Sequence, residues 1–157
     1  MDHKIGVYID TGYGIGEALD IEALMTVATD EFQVAVCKAD AYWSDPEQLE
    51  VIKKDASEHG LTAVVIAGPS QRLFQKEFNF EGVITERVNL REHVIWCQPP
   101  NAEDTQMLAE DYLRMGITKA SKYDDRAPFI EPVERAILVI GGGMTGLTAA
   151  LEAAKAG

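Results

Sequence analysis

Cysteine and basic residues are scarce in this chain of 157 residues. Its two cysteines, Cys37 and Cys97, are too few for a disulfide framework or for a four-thiolate metal site. Lysine and arginine number 14 against 26 aspartate and glutamate residues, which leaves a formal net charge of −12. Because such a surface repels phosphate backbones and anionic membrane faces, we expect no nucleic-acid partner. A basic protein partner is compatible with this charge.

Long apolar runs are missing as well. No stretch of the chain approaches the ~20 consecutive apolar residues of a membrane-spanning helix. The first residues, 1–5, also lack the apolar core of a signal peptide. We therefore expect a cytoplasmic protein with free, buried thiols and no direct membrane insertion.

Short apolar runs alternate with helix-like segments along the chain. Strands are predicted at residues 5–9, 34–37, 63–67, 82–86 and 136–140. Helices are predicted at residues 21–29, 44–59, 71–78, from 89 to the Pro99-Pro100 pair, 101–122 and from 144 onward. The apolar runs are continuous, which is typical of strands covered on both faces. This pattern predicts an α/β fold, a mainly parallel sheet with flanking helices of Rossmann or flavodoxin-like type.

Two of these helices carry start and stop signals. Asp20 is expected to cap the helix that begins at residue 21. Ser44 or Asp45 can cap the next helix, with Pro46 in its first turn, and Ser44 and Glu47 have the spacing of a capping box. Gly60 is expected to end that helix, because glycine adopts the left-handed conformation of a helix terminus without a steric penalty.

A glycine motif near the C-terminus has the form G-x-G-x-x-G. Gly141, Gly143 and Gly146 occupy its glycine positions, with Gly142 between the first two. The motif follows a predicted strand and opens a predicted helix, as dinucleotide-binding turns do. The first glycine permits the tight turn, the second lets a pyrophosphate approach the backbone, and the third lets the helix pack closely. The alternative is a tight turn without a ligand.

The residues beyond this motif predict only the start of a dinucleotide-binding domain. The acidic residue that holds the ribose normally follows the glycines by ~20 residues, whereas the sequence continues for only 11 residues after Gly146. We expect an N-terminal α/β module over 1–122, a linker over 123–135 and a truncated FAD- or NAD(P)-binding segment over 136–157. A lone strand and helix cannot bury their apolar surface, so residues 136–157 are expected to pack onto the sheet, fray or join two chains as a homo-oligomer.

A second glycine-rich loop joins the first strand to the first helix. Gly12, Gly14 and Gly16 form the pattern G-x-G-x-G, which differs from the dinucleotide motif and lacks the Lys-Ser/Thr of a P-loop. The loop is either a phosphate- or flavin-binding loop or a structural connection.

Several stretches together resemble one family. The chain contains IGVYIDTGYGIGEALDIEAL, EDTQMLAEDYLRMGI and ILVIGGGMTGLTAALEAAKAG, and these stretches resemble the A-subunit family of heterodisulfide reductases, which are iron–sulfur flavoproteins. Within it, the resemblance is to flavoprotein subunits of the quinone-interacting membrane-bound oxidoreductase complex. The resemblance implies that the parent protein is an FAD-dependent oxidoreductase that transfers electrons within a complex of several subunits. It also implies that Gly141, Gly142, Gly143 and Gly146 belong to its FAD site.

The chain departs from this family at the ligands of a [4Fe–4S] cluster. Family members carry cysteines where this chain has Asp10, Tyr13, Ser44 and Pro69. Because such clusters need thiolates, the resemblance predicts that the cluster is absent and that no catalytic residue lies in the module. The chain alone is then inactive and serves a structural or docking role. The alternatives are a flavodoxin-like binder of small ligands that uses the loop Gly12–Gly16, and an interaction-only module.

Overall fold

The computed structural model describes residues 3–124, 129–134 and 136–157. The chain divides into two units, residues 1–125 and 126–157. Residues 125–128 and 135 of the predicted linker lie outside the described residues.

A four-stranded parallel sheet forms the centre of the first unit. Its strands are β1 (Ile5–Asp10), β2 (Val36–Asp40), β3 (Ala63–Gly68) and β4 (Ile84–Asn89), in the order β2-β1-β3-β4. The two central strands, β1 and β3, are buried along their whole length. The α/β prediction is confirmed, and the continuous apolar runs correspond to strands covered on both faces.

Four helices and two wide helical turns accompany the sheet in this unit. The helices are α1 (Ile15–Ala18), α2 (Ile21–Thr26), α3 (Pro46–His59) and α4 (Glu103–Lys122). The wide turns are single π-helical turns over Val27–Glu31 and Arg91–Ile95. Short α1 was not expected from the sequence, and helix 21–29 is divided between α2 and the first π-helical turn.

The expected capping signals are confirmed in part. The Asp20 side chain accepts a hydrogen bond from the backbone N–H of Ala23, at 3.1 Å. Gly60 ends α3 in the left-handed conformation with a φ of 63°. The capping box of Ser44 and Glu47 is wrong: α3 begins after Asp45 with no side-chain capping bond, and the Ser44 hydroxyl lies against Tyr13.

The core has two layers because successive side chains of a strand point to opposite faces. Val7, Ile9 and Val65 pack on the face covered by α2 and α4. Tyr8 and Ile66 pack on the other face, which α3 covers together with aromatic residues of the connecting loops.

The helix predicted over 71–78 is wrong. These residues form turns without a helix. The Arg87 guanidinium donates hydrogen bonds to the backbone carbonyls of Pro69, Ser70 and Leu73. These hydrogen bonds hold the segment in a turn conformation instead. Arg87 lies in β4, which runs to Asn89, so the helix expected from Asn89 is reduced to the second π-helical turn.

The second unit contains helix α5 (Met144–Ala156), as expected. The strand predicted over 136–140 is wrong, because these residues form no β-ladder. A strand exists only beside a neighbour that pairs with it, and residues 129–134 and 136–157 include no strand. Ile137, Leu138 and Ile140 are consequently exposed.

Candidate functional site at the carboxyl edge of the sheet

The four positions expected to replace cluster ligands gather at one edge of the sheet. Asp10 ends β1, Pro69 follows β3 directly, Tyr13 lies in the loop after β1 and Ser44 precedes α3. The carboxyl ends of parallel strands meet at the same edge, which is where α/β proteins bind ligands.

Asp10 is the most buried polar group of this edge, with 1% of its surface exposed. Its Oδ1 accepts a hydrogen bond from the backbone N–H of Trp43, at 2.9 Å. The indole N–H of Trp43 in turn donates to the carbonyl of Ile9, at 2.9 Å. A Cβ at Gly68 would overlap the Asp10 carboxylate, so the end of β3 approaches β1 this closely only because residue 68 is glycine.

Several influences of opposite sign set the pKa of Asp10. Burial raises it most strongly and the neighbouring carboxylates of Asp40 and Asp45 add to that effect, whereas the Trp43 N–H and the positive charge of Arg87 lower it. Together they raise the pKa of Asp10 to about 6. The edge therefore concentrates negative charge around one buried carboxyl group.

Tyr13 and Ser44 meet on the outer side of this edge. The Tyr13 hydroxyl lies 3.5 Å from the Ser44 Oγ, and its ring packs edge-on against Tyr42 with centroids 5.1 Å apart. The preceding Gly12 packs so closely on the Ala41 carbonyl and the Tyr42 ring that a Cβ there would overlap both. The glycine loop is thus packed directly against neighbouring residues of the chain.

Pro69 contributes its backbone carbonyl. Nη2 of Arg87 donates to it at 3.3 Å, and Nη1 donates to the Leu73 carbonyl at 3.0 Å. The guanidinium also stacks on the Phe78 ring, 4.3 Å from its centroid. Burial lowers the pKa of Arg87, while the charges of Asp10 and Glu92 raise it. The sequence analysis did not single out Arg87. An arginine next to a predicted strand in an acidic chain is nevertheless a sign of a cation that is buried beside carboxylates.

The second π-helical turn completes the edge. Asn89 Oδ1 accepts a hydrogen bond from the Glu92 N–H at 3.0 Å, and the Arg91 guanidinium pairs with the Glu92 carboxylate at 2.6 Å. Burial raises the pKa of Glu92, but hydrogen bonds from Arg91 and from the backbone outweigh it and leave that pKa below its usual value. Arg91 also lies between two aromatic rings, 5.3 Å from that of Tyr13 and 4.9 Å from that of Trp96.

The two cysteines stand apart from the four positions. Cys37 lies within β2, and burial raises its pKa to about 11, so it is a neutral thiol at physiological pH. Cys97 follows the second π-helical turn and is exposed, whereas Cys37 is half-buried, so the expectation of two buried thiols is wrong. Its Sγ donates to the Glu92 carbonyl at 3.1 Å.

The second unit holds the glycine turn at the start of α5. Gly141 has a φ of 111°, a value that favours glycine, and Gly143 is the N-cap residue of α5. A Cβ at Gly146 would overlap the Gly141 carbonyl. The start of α5 therefore packs closely on the preceding turn.

Within residues 3–124, 129–134 and 136–157, every helix is too short or too polar to pass through a lipid bilayer.

Comparisons with known proteins identify relatives over nearly the whole chain. The chain is 37% identical to the A subunit of the H(2):CoB-CoM heterodisulfide,ferredoxin reductase of Methanothermobacter marburgensis, over 98% of the chain and 25% of that protein. It is 33% identical to the A subunit of the ferredoxin/F(420)H(2)-dependent CoB-CoM heterodisulfide reductase of Methanosarcina acetivorans, over 98% of the chain and 20% of that protein. The chain is thus homologous, over nearly its whole length, to a part of the heterodisulfide reductase A subunit.

The similarity covers only part of each relative. The chain spans about a quarter of the length of the first of these relatives and a fifth of the length of the second. It is also 31% identical to the second iron-sulfur A subunit of the CoB–CoM heterodisulfide reductase of Methanopyrus kandleri. No protein-family model matches the chain.

Proposed function

We propose that this heterodisulfide reductase A-like chain is the N-terminal portion of an FAD-dependent electron-transfer subunit. Its α/β module serves to hold the subunit together or to dock a partner, and it has no redox centre of its own. The observation that carries this proposal is the set of side chains at the carboxyl edge. Asp10, Tyr13, Ser44 and Pro69 offer no thiolate.

The residues at this edge do not fit a [4Fe–4S] cluster. Such a cluster needs sulfur ligands, whereas the Asp10 carboxylate is bound to the Trp43 N–H and the Tyr13 hydroxyl lies against Ser44. Pro69 has no donor atom in its side chain. The polar side chains of this set are thus already in contact with other groups of the chain.

The glycine turn of the second unit fits one half of a dinucleotide. The backbone of Gly141, Gly142 and Gly143 would hold the FAD pyrophosphate at the start of α5, and Gly146 would let the helix pack against the turn. A Cβ built at Gly141, Gly142 or Gly143 meets no other described atom within 4 Å, so this side of the turn is open. When bound, FAD would accept and release electrons in the parent protein.

The other subunits of a heterodisulfide reductase-like complex, or of the quinone-interacting oxidoreductase complex, are the partners that fit this proposal. The relatives support it because they are named as subunits. A cytoplasmic location, with membrane association only through such a complex, completes the proposal.

Anaerobic reconstitution with iron and sulfide tests the loss of the cluster. We expect the wild-type chain to retain neither iron nor sulfide after desalting. A matched variant, with Asp10→Cys, Tyr13→Cys, Ser44→Cys and Pro69→Cys combined, serves as the positive control because it restores four thiols. Absorbance near ~400 nm and about four iron atoms per wild-type chain would overturn the proposal.

Calorimetry with FAD tests the second part of the proposal. We expect no tight stoichiometric binding to the 157-residue chain, since one glycine turn supplies only part of a dinucleotide site. The full-length parent should contain FAD and lose it on Gly146→Val, because the new side chain would push α5 away from the Gly141 carbonyl. A parent without flavin would contradict the proposal.

A further inference from the structure

A continuous row of aromatic and arginine side chains crosses the surface beside Asp10. We call it the aromatic strip, and its members are Tyr42, Tyr13, Arg91 and Trp96. Tyr42 packs edge-on against Tyr13, and the Arg91 guanidinium lies over both the Tyr13 and the Trp96 rings. Tyr42 is 45% exposed and Trp96 is 67% exposed. The strip therefore presents aromatic surface at both ends and holds it in place by contacts at its centre.

An acidic groove adjoins the Tyr42 end of the strip. It has a volume of about 390 Å³ and is lined by Asp40, Tyr42, Asp45, Pro46, Glu47 and Gln48. None of its three carboxylates forms an ion pair with a residue that the structure describes. Two of them, Asp40 and Asp45, also raise the pKa of the buried Asp10. The groove thus holds negative charge that no described cation of the chain balances.

We propose that the aromatic strip and the acidic groove together form a docking surface for a protein partner whose segment presents a lysine or arginine flanked by apolar side chains. The cation enters the groove against the Tyr42 ring, and the apolar neighbours cover Tyr13 and Trp96. This inference rests on the proposed function, because it names the surface through which the module meets another subunit.

Three physical arguments favour this occupant. Tyrosine, tryptophan and arginine are the residue types that dominate protein–protein binding energies. Arg91 is already held by Glu92 and two rings, so little conformational freedom is lost on binding. A cation gains from the three carboxylates and from the face of Tyr42, and a chain with a net charge of −12 attracts basic partners over a distance.

Titration of the full chain with short peptides, followed by ¹⁵N–¹H correlation spectra, tests this surface. The probe is the capped pentapeptide Phe-Lys-Leu-Lys-Phe, with Phe-Glu-Leu-Glu-Phe and Ser-Lys-Ser-Lys-Ser as controls for charge and for apolar contact. We expect saturable shifts at the backbone amides of Tyr42, Asp45 and Glu47 and at the Trp96 indole. Binding of the first peptide should be at least about tenfold tighter than that of either control.

Two substitutions locate the binding in the strip and groove. Tyr42→Ala and Asp45→Asn should each weaken binding about tenfold. The Asp45 side chain makes no capping bond, so asparagine leaves α3 intact. Glu103→Gln and Met107→Ala, at exposed positions of α4, are the matched controls and should leave binding unchanged.

Equal affinity for the three peptides, or equal losses in all four variants, would overturn the docking surface. Absence of saturable shifts would overturn it as well. The measurement requires neither flavin nor iron. A chain that binds the basic peptide while its parent lacks FAD would therefore contradict the proposed function alone.

Discussion

At the scale of a single residue, the pKa of the buried Asp10 carboxyl group depends on the position of each neighbouring group. Its Oδ1 is held by the Trp43 N–H, 33 positions away in the sequence, and its other oxygen lies where a Cβ at Gly68 would be. The charge of Arg87 favours its ionised form, while burial disfavours it more strongly. The balance leaves a group that titrates just below neutral pH.

The elevated pKa of Asp10 predicts a dependence of stability on pH. Below its usual value of 3.8 the group is mostly protonated in both the folded and the unfolded chain. Between that value and about 6 the unfolded chain releases the proton first, so the free energy of unfolding falls as the pH rises. This contribution amounts to about 3 kcal/mol and is lost once the pH exceeds the folded pKa.

The variant Asp10→Asn isolates this contribution, because it keeps an acceptor for Trp43 and cannot ionise. Urea unfolding from about pH 4 to about pH 7.5 should show the variant gaining about 3 kcal/mol relative to wild type as the pH rises. A constant difference across this range would show that the folded and unfolded pKa values of Asp10 are equal.

Arg87 ties the loop after β3 to β4 through hydrogen bonds that a lysine cannot reproduce. A lysine ammonium cannot span the carbonyls of Pro69 and Leu73 while stacking on Phe78. We expect Arg87→Lys to lower the free energy of unfolding by about 2 kcal/mol and to speed proteolysis in residues 69–78. The exposed Arg72 provides the control: Arg72→Lys should leave both measurements unchanged.

At the scale of elements, the packing of α4 on the sheet depends on a glycine that helix propensity alone would disfavour. A Cβ at Gly116 would overlap the Val88 side chain of β4 and contact Val65 of β3 at 3.6 Å. Glycine costs a helix about 1 kcal/mol relative to alanine. The close approach of α4 to β4 therefore requires glycine at position 116.

Gly116→Ala measures which effect is larger. Propensity alone predicts a gain of about 1 kcal/mol, whereas overpacking against Val88 costs about 1–3 kcal/mol. We expect a net loss in thermal and urea unfolding. Adding Val88→Ala removes the clash, so the double variant should be more stable than the sum of the two single variants predicts. Simple additivity would show that α4 does not rest on Val88.

At the scale of the whole molecule, the two units differ in how much of their apolar surface they bury. The first has a two-layered core, whereas no residue of α5 is buried and Leu138 is 85% exposed. Apolar surface of this kind marks a site of association.

Sedimentation velocity tests the behaviour of this segment in the chain as it stands. We expect concentration-dependent association of the 157-residue chain and a monomer after deletion of residues 136–157. Glu103→Gln, at an exposed position of the first unit, should leave the association unchanged. An intact chain that sediments as a monomer at all concentrations would contradict a homo-oligomer joined through 136–157.

The sequence by itself determined the α/β class, the centre of the sheet and the positions without thiolates. Continuous apolar runs suffice for strands buried on both faces, so β1 and β3 were predicted almost to the residue. Local signals such as Asp20 and Gly60 were likewise sufficient, because the groups that they satisfy lie within four residues. Positions 10 and 13 hold aspartate and tyrosine, so the lack of a cysteine at either position is read directly from the sequence.

Only the tertiary structure decided the rest, because partners far apart in sequence leave no local pattern. Residues 71–78 have the composition of a helix. Backbone carbonyls of this segment and of the residues before it instead accept hydrogen bonds from Arg87, which lies on the later strand β4. Residues 136–140 have the composition of a strand, but no described neighbour pairs with them. The aromatic strip likewise joins the loop after β1, the loop before α3 and the second π-helical turn, and only folding brings these three segments together.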